Sequence, residues 1–375
     1  MIGIYCHHTS RFSRNTGIQR CLRATAKALV DQGHDLVPLV WNRASNGLAL
    51  ASPEARAHLA GWGGPPAAAW RLQPLPAGSW LLVVELISGP HQPDQAWLRR
   101  LADRHHWRLA AVFHDAIPLG WGGAAARHHS HYMQGLADYD LVLSVSATSR
   151  AALERFWQRL AVPIRARLQT LPLAAQIPGK LRELPDQTPL PPLRPLRLLC
   201  VGSLEPRKNH RRLLQALAWL NAQGRLRARL QLVGWANDPG VVSMVRRAQA
   251  LALPLEWDGE ASDDALLAAY RRCDLTVYPS LQEGYGLPVQ ESLWMGRPCL
   301  TGRAPALLEQ AAGGGCWSVD SSSWQPLAAA IERLQRDPQL LQALRAQIAK
   351  RPLRTWHHYA HEMLLLMAAT DLDRS

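Results

Sequence analysis

At 375 residues and 47% apolar composition, the chain is longer than one core usually reaches and apolar enough to fill two. No apolar run approaches the roughly 20 residues that span a bilayer, and the six cysteines, at 6, 21, 200, 273, 299 and 316, show no C-x-x-C spacing, which argues for a reducing compartment without disulfides or a zinc site. The net charge of +13 is almost all arginine, scattered in ones and twos with lysine only at 27, 180, 208 and 350; it speaks against a nucleic acid as partner and for attachment to an anionic membrane surface.

Met1 runs straight into the apolar residues 2–6, which read as a buried first strand with no basic region ahead of it. No signal peptide is expected, and the expected location is cytoplasmic, peripheral on the inner face of the plasma membrane. The loop HHTSRFSRNTGIQR, His7 to Arg20, leads into a helix that Asn15 or Thr16 can cap, and Gly17 permits close approach of the backbone. Arg11 and Arg14 read as solvated. Apolar runs at 35–41, 80–85, 109–113 and 141–145 read as further buried strands with helical patterns between them. His114, with Asp115 beside it, follows the fourth of these five runs and so stands at the carboxyl end of a strand, where ligands bind in parallel sheets. The histidines at 128, 129 and 131 have no carboxylate at ligand spacing and read as a solvated helix face. Asp138-Tyr139-Asp140 and Asp371-Leu372-Asp373 both match D-x-D, but the first precedes its strand and the second falls in a tail expected to fray. No metal and no cofactor are expected.

Gln176 to Pro195 is proline-dense and reads as a linker. It divides the chain into a first domain, 1–175, and a second, 196–352, with a terminal amphipathic helix in 353–375. The runs LRLLCVG, RLQLVG, LPLEWDG, LTVYPS and PCLTG repeat the strand-and-helix alternation, so the fold class is α/β with two Rossmann-like parallel sheets covered on both faces. VGSLEPRKNH, Val201 to His210, is a strand ending in a glycine turn that feeds a helix near Asn209. Ser262 looks like an N-cap, with Asp263 and Asp264 in the first turn; Asp263 could alternatively accept hydrogen bonds from a guanine.

The most informative stretch is PSLQEGYGLPVQESLWMGRP, Pro279 to Pro298. Gly284 and Gly286 break the backbone, Pro288 suits a first helical position, and Gly296 then Pro298 supply the stop. Glu283 therefore lies in the loop and Glu291 near the first helical turn, with amides around Leu287 free to face an anion. Such a segment could hold a sugar at Glu283, a diphosphate at the amides and a ribose at Glu291. It does not set up the facing carboxyl pair of a glycosidase.

EGYGLPVQE, within the order YPS, EG, GLP, ES and G-x-P, resembles glycosyltransferase family 4, the retaining nucleotide-sugar glycosyltransferases of the two-domain GT-B fold, whose two sheets face across a cleft. The resemblance implies a donor diphosphate at Lys208, with Arg207 beside it, and the transferred sugar at His114 and Glu283. It also implies donor contacts at Gly17, Arg20, Gly284, Gly286, Leu287 and Glu291, to which the guanine reading would add Asp263. The partners implied are a nucleotide-sugar donor, mannose-like by preference, and a saccharide or lipid-linked saccharide acceptor in surface polysaccharide assembly, without a metal. In the family the last helix crosses back onto the first domain. Many relatives carry an arginine directly after the glycine at Gly202, where this chain has Ser203, leaving one phosphate counter-charge unassigned. An epimerase or phosphorylase on the same fold would share the cleft but not EGYGLPVQE together with EPRKN, and a non-catalytic binding module would not need these glutamates, lysine and histidine.

Overall fold

The computed structural model describes residues 1–372 except 13, 88–91, 189, 190, 192 and 193. Met1–Ala174 and Arg354–Ser375 form one compact unit, and Ala175–Leu353 forms a second.

The first unit is built on strands β1 (Ile2–Tyr5), β2 (Leu36–Asn42), β3 (Gly47–Leu50), β4 (Trp80–Val83), β5 (Arg108–Phe113), β6 (Leu141–Ser144) and β7 (Arg167–Thr170), in the order β3-β2-β1-β4-β5-β6-β7. Central parallel strands covered by helices on both faces need apolar residues at every position, and all four residues of β1 and of β4 are buried. The edges follow another rule. Part-exposed β3 (GLAL) and β7 (RLQT) were not expected; β7 carries no continuous apolar run, and β3 pairs with β2 antiparallel in an otherwise parallel sheet. Leu81, Leu109, Phe113, Leu136 and Trp157 are wholly or almost wholly buried in the core, where burial contributes roughly 1.5–3 kcal/mol for an aliphatic or Phe side chain. The helix Trp356–Leu372 completes this unit, with Tyr359, Ala360 and Met363 fully buried. Gln32, just after the helix Gly17–Asp31, donates to His357 O at 2.9 Å, and Arg108 pairs with Asp371 at 2.9 Å.

The second unit has strands β8 (Leu196–Val201), β9 (Ala228–Val233), β10 (Leu255–Asp258), β11 (Leu275–Tyr278), β12 (Cys299–Thr301) and β13 (Cys316–Ser318), ordered β10-β9-β8-β11-β12-β13 and parallel throughout. Only the three-residue, half-buried β13 was not expected from the sequence. The proline-dense stretch is tied onto this unit: Glu183 N–H donates to Trp294 O at 2.9 Å, Glu183 pairs with Arg271 at 2.7 Å, and Arg182 donates to Ile348 O at 2.6 Å. Part of that stretch, at 189, 190, 192 and 193, lies outside the described residues.

Each sheet reverses its strand order once, between β1 and β4 in the first unit and between β8 and β11 in the second. Ligands of open parallel sheets bind beyond the carboxyl ends of the strands at such a reversal. Among the described residues no helix is long and apolar enough to cross a membrane.

Candidate active site

In the second unit, the residues that leave β8 and β11 meet at the reversal. After β8 the chain closes a turn at Gly202 against the turn after β9: a Cβ on Gly234 would lie 1.9 Å from Gly202 O, so a side chain there is excluded. A 3-10 turn, Pro206–Lys208, then feeds the helix His210–Ala222. Asn209 adopts the left-handed conformation at the junction, and its side-chain amide donates to Pro279 O at 3.1 Å and Ser321 O at 2.7 Å, fixing the loop after β11 against the loop after β8.

Glu283 and Lys208 are brought together. Lys208 Nζ is 2.7 Å from Glu283 Oε1 and donates to Tyr278 Oη at 2.5 Å. Tyr278 and Ser280 hydroxyls donate to the same carboxylate oxygen at 2.9 and 2.6 Å, and Arg207 Nη1 reaches Oε2 at 3.1 Å. The Glu283 side chain is 8% exposed and that of Lys208 11%. Burial alone would push the Glu283 carboxyl up, but Lys208 and Arg207 outweigh it and hold the group below the usual carboxylate range. Burial, then Glu283, pushes the Tyr278 phenol well up, so it remains a donor. Arg207 also bonds Glu205 at 2.8 Å, and Ser203 donates to the same Glu205 oxygen at 2.8 Å. The position without the expected arginine is thus connected through Glu205 to an arginine four residues on.

Gly284 and Gly286 break the chain as expected, and the helix begins at Leu287, one residue before Pro288. Gly286, with φ 101°, precedes it; a Cβ there would meet Leu307 Cδ2 at 2.7 Å. Glu291 is 2% exposed, and Tyr270 donates to its Oε2 at 3.0 Å. Asp263 is exposed in the first turn of the helix Asp263–Arg272, capped by Ser262, whose hydroxyl accepts from Ala265 N–H at 3.2 Å.

In the first unit, His114 stands directly after β5, as its strand-end position predicts. Its Nε2 donates to Val84 O at 2.8 Å, leaving Nδ1 as the acceptor, and burial keeps the ring neutral by lowering its pKa. His129 departs from the expected solvated face: it is buried and donates from Nε2 to Asp115 O at 2.9 Å, packing behind the His114 loop. Gly17 opens the helix Gly17–Asp31, on which Arg20 lies half-buried. Thr16 occupies the N-cap position but its hydroxyl bonds the Gln19 side chain instead of a helix amide, while Asn15 accepts from Arg23 at 2.9 Å. Asp140 of the first D-x-D is buried and bound by Arg99 at 2.9 Å and Arg165 at 3.2 Å, and Asp373 of the second lies outside the described residues.

Sequence reasoning did not single out Tyr278, Ser280, Asn209, Glu205, Tyr270 or Glu85. Tyr278 and Ser280 stood inside the YPS order. Glu85 had a readable signal, a lone acid ending the apolar run WLLVVE, and it is fully buried.

Two Rossmann-like parallel-sheet units, with loops converging at a strand reversal, make this an α/β protein of the GT-B class. Residues 183–351, which lie within the second unit, match the family model described as glycosyl transferases group 1. The serotype-specific mannosyltransferase WbdA of Escherichia coli is 27% identical over 229 residues, 56% of this chain and 27% of that protein. The O-antigen chain mannosyltransferase B of Escherichia coli is 30% identical over 218 residues, 54% of this chain and 55% of that protein. The chain thus spans about a quarter of the first relative's length and about half of the second's. Among solved structures, Anabaena HepE in complex with UDP and glucose superposes with a TM-score of 0.68 at 14% identity, covering 98% of this chain and 99% of that one. Sucrose-phosphate synthase from Thermosynechococcus elongatus gives 0.66 at 16% identity, with 99% of both chains covered.

Proposed function

We propose that the protein is a retaining glycosyltransferase that moves a hexose, mannose by preference, from a nucleoside-diphosphate sugar to a saccharide or lipid-linked saccharide acceptor in surface polysaccharide assembly. The observation that carries the reading is the Glu283 carboxylate held by Lys208, Arg207, Tyr278 and Ser280 at the strand reversal of the second unit. A preorganised cation beside a sugar-binding acid suits a reaction in which negative charge grows on a departing diphosphate. Lys208 and Arg207 supply that charge, the amides opening the helix at Leu287 add to it, and Glu291 holds the ribose. The leaving diphosphate takes the acceptor proton on the face it departs from, so no protein nucleophile is assigned. In the first unit, His114 serves the transferred sugar, and Gly17 and Arg20 serve the donor phosphates. The mannosyltransferase relatives support the choice of sugar, and Asp263 is retained as a contact for a guanine base.

The test is incubation of the purified protein with a panel of nucleotide sugars and mannose-containing acceptors, in EDTA and with added magnesium. Release of one nucleoside diphosphate with an α-linked product, unaffected by EDTA, is expected. No turnover of any nucleotide sugar would sink the reading, and an inverted linkage would sink its stereochemistry.

A further inference from the structure

We propose that Glu85 is a positioning residue for the first unit's part in sugar transfer, its carboxylate holding the loop after β1 by two main-chain N–H groups; this rests on the transferase reading above. Glu85 leaves β4 two residues past the strand's end, and β4 neighbours β1 at the reversal of the first sheet. The two oxygens accept separately, Oε1 from His8 N–H at 2.6 Å and Oε2 from Thr9 N–H at 2.8 Å. On its other side the loop is held by Arg23, itself 1% exposed, which donates to Thr9 O at 3.3 Å and to Asn15 Oδ1 at 2.9 Å and lies 4.4 Å from the Trp62 ring centre.

A buried acid and a buried base are therefore spent on fixing a few residues of loop. Ions taken out of water cost several kcal/mol each even after relaxation, and apolar packing of the same volume is often no less stable. What the charges supply is geometry. His7, Ser10 and Arg11 of this loop wall a cavity of about 810 Å³, together with Trp41 and Asn42 of β2 and His58. A loop that slackened would change the shape of that wall.

Only the ionised carboxylate accepts at both oxygens; once protonated, it points an O–H into a pair of N–H donors. The groups that face Glu85 are Tyr5 of β1, Cys6 directly after it, His8 and Thr9 of the loop, and Arg23 of the helix Gly17–Asp31. Burial raises the Tyr5 and Cys6 groups and lowers His8, so all three are neutral near pH 7. Burial lifts Glu85 to about 7 against the pull of the Thr9 and His8 hydrogen bonds and of Arg23. The carboxylate therefore loses its hold on the two amides as pH falls through about 7.

The experiment compares wild type with Glu85→Gln over pH, reading three quantities: transfer, nucleoside-diphosphate affinity by calorimetry, and the His8 and Thr9 amide signals in the wild type by NMR. Wild-type transfer should fall roughly tenfold from about pH 8 to about pH 6, the change in ionised fraction of a group titrating near 7. The two amides should shift with the same midpoint, and nucleotide affinity should hold. Glu85→Gln should show lower transfer at high pH and no such acid limb, with Glu85→Asp intermediate. Retention of the acid limb in Glu85→Gln, or amides that do not titrate, overturns the proposal. Should Glu85→Gln fail to fold, the wild-type amide titration still decides. Absence of any sugar transfer would overturn the transferase reading instead, and the amide titration then supports or overturns the latch by itself.

Discussion

Glu283 and Lys208 are nearly enclosed, so removing Glu283 strands the Lys208 charge, while removing Lys208 leaves Glu283 with Arg207 and two hydroxyls in place of its most buried cation. Breaking such a buried pair typically costs about 3–5 kcal/mol, whereas neutralising both partners costs far less. Lys208→Met and Glu283→Gln should each lower the melting temperature, and the double variant should recover most of that loss. Transfer should stay at least tenfold down in all three, a loss of about 1.4 kcal/mol of transition-state stabilisation; a double variant with near-normal turnover removes both residues from the chemistry. Under the proposed function Glu291 serves binding of the donor ribose rather than the reacting centre, with hydrogen bonds that are the same before and during reaction. Glu291→Gln should raise KM for the donor with little change in kcat, and calorimetry that found unchanged nucleotide affinity beside a collapsed kcat would reverse the assignment. His210 is a different case: it is 1% exposed and neither ring nitrogen has a hydrogen-bond partner. Burial, helped by Lys208, pushes its pKa down to about 4 from 6.5. Its folded form binds its proton less readily than the unfolded chain, so the stability of the neutral ring is present above about 6.5 and lost as pH falls toward 4. His210→Leu should therefore stabilise the protein by about 1–3 kcal/mol at neutral pH and blunt its acid sensitivity, both read from melting curves between pH 4 and 8. The members of the Glu283 cluster that the sequence reading singled out were those with an assigned charge, Lys208, Arg207 and Glu283. Their neutral partners were hidden, because a tyrosine and a serine on apolar strand ends look like packing until the loops are folded.

At the scale of elements, the glycine-broken turn before the helix Leu287–Trp294 leaves little room for substitution. Gly286 combines a positive φ with the 2.7 Å approach to Leu307. Gly286→Ala should cost about 1–3 kcal/mol through the backbone conformation alone, and it should lower nucleotide affinity more than Gly47→Ala, where only the neighbouring Ser45 atoms lie near, at 3.6 Å. Equal nucleotide affinity in both variants would mean that the turn does not shape the site. The same scale shows what was legible. Buried central strands announce themselves as unbroken apolar runs, and each of the runs read as a strand contains one. Edge strands β3, β7 and β13 did not: part of each faces solvent, so β7 and β13 accept polar residues, and the short apolar stretch of β3 follows closely on β2. The helix around His129 misled for a related reason: three histidines within four residues look polar on paper, yet the middle one turns inward to bond Asp115.

For the whole molecule, the +13 charge is a property that no single contact absorbs. The prediction is that this charge excess acts at an anionic membrane surface. Vesicles containing anionic lipid should bind the protein at low salt and release it as salt rises, exposed charges being screened beyond about 8 Å at physiological ionic strength. Equal binding to neutral vesicles, or binding to neither, would leave the arginine excess without that role. The path of the chain carries one more implication. Because Arg354–Ser375 belongs with Met1–Ala174, the second unit is an uninterrupted stretch set inside the first. A ribosome working from the amino terminus therefore releases every residue of the second unit before the first has its last helix, at a pace of roughly 5–20 residues per second. The part of the protein that is begun earliest is finished last, and until then the buried face of Tyr359, Ala360 and Met363 has no counterpart to cover the helix Gly17–Asp31, leaving nascent chains most exposed to chaperones and proteases at their oldest end.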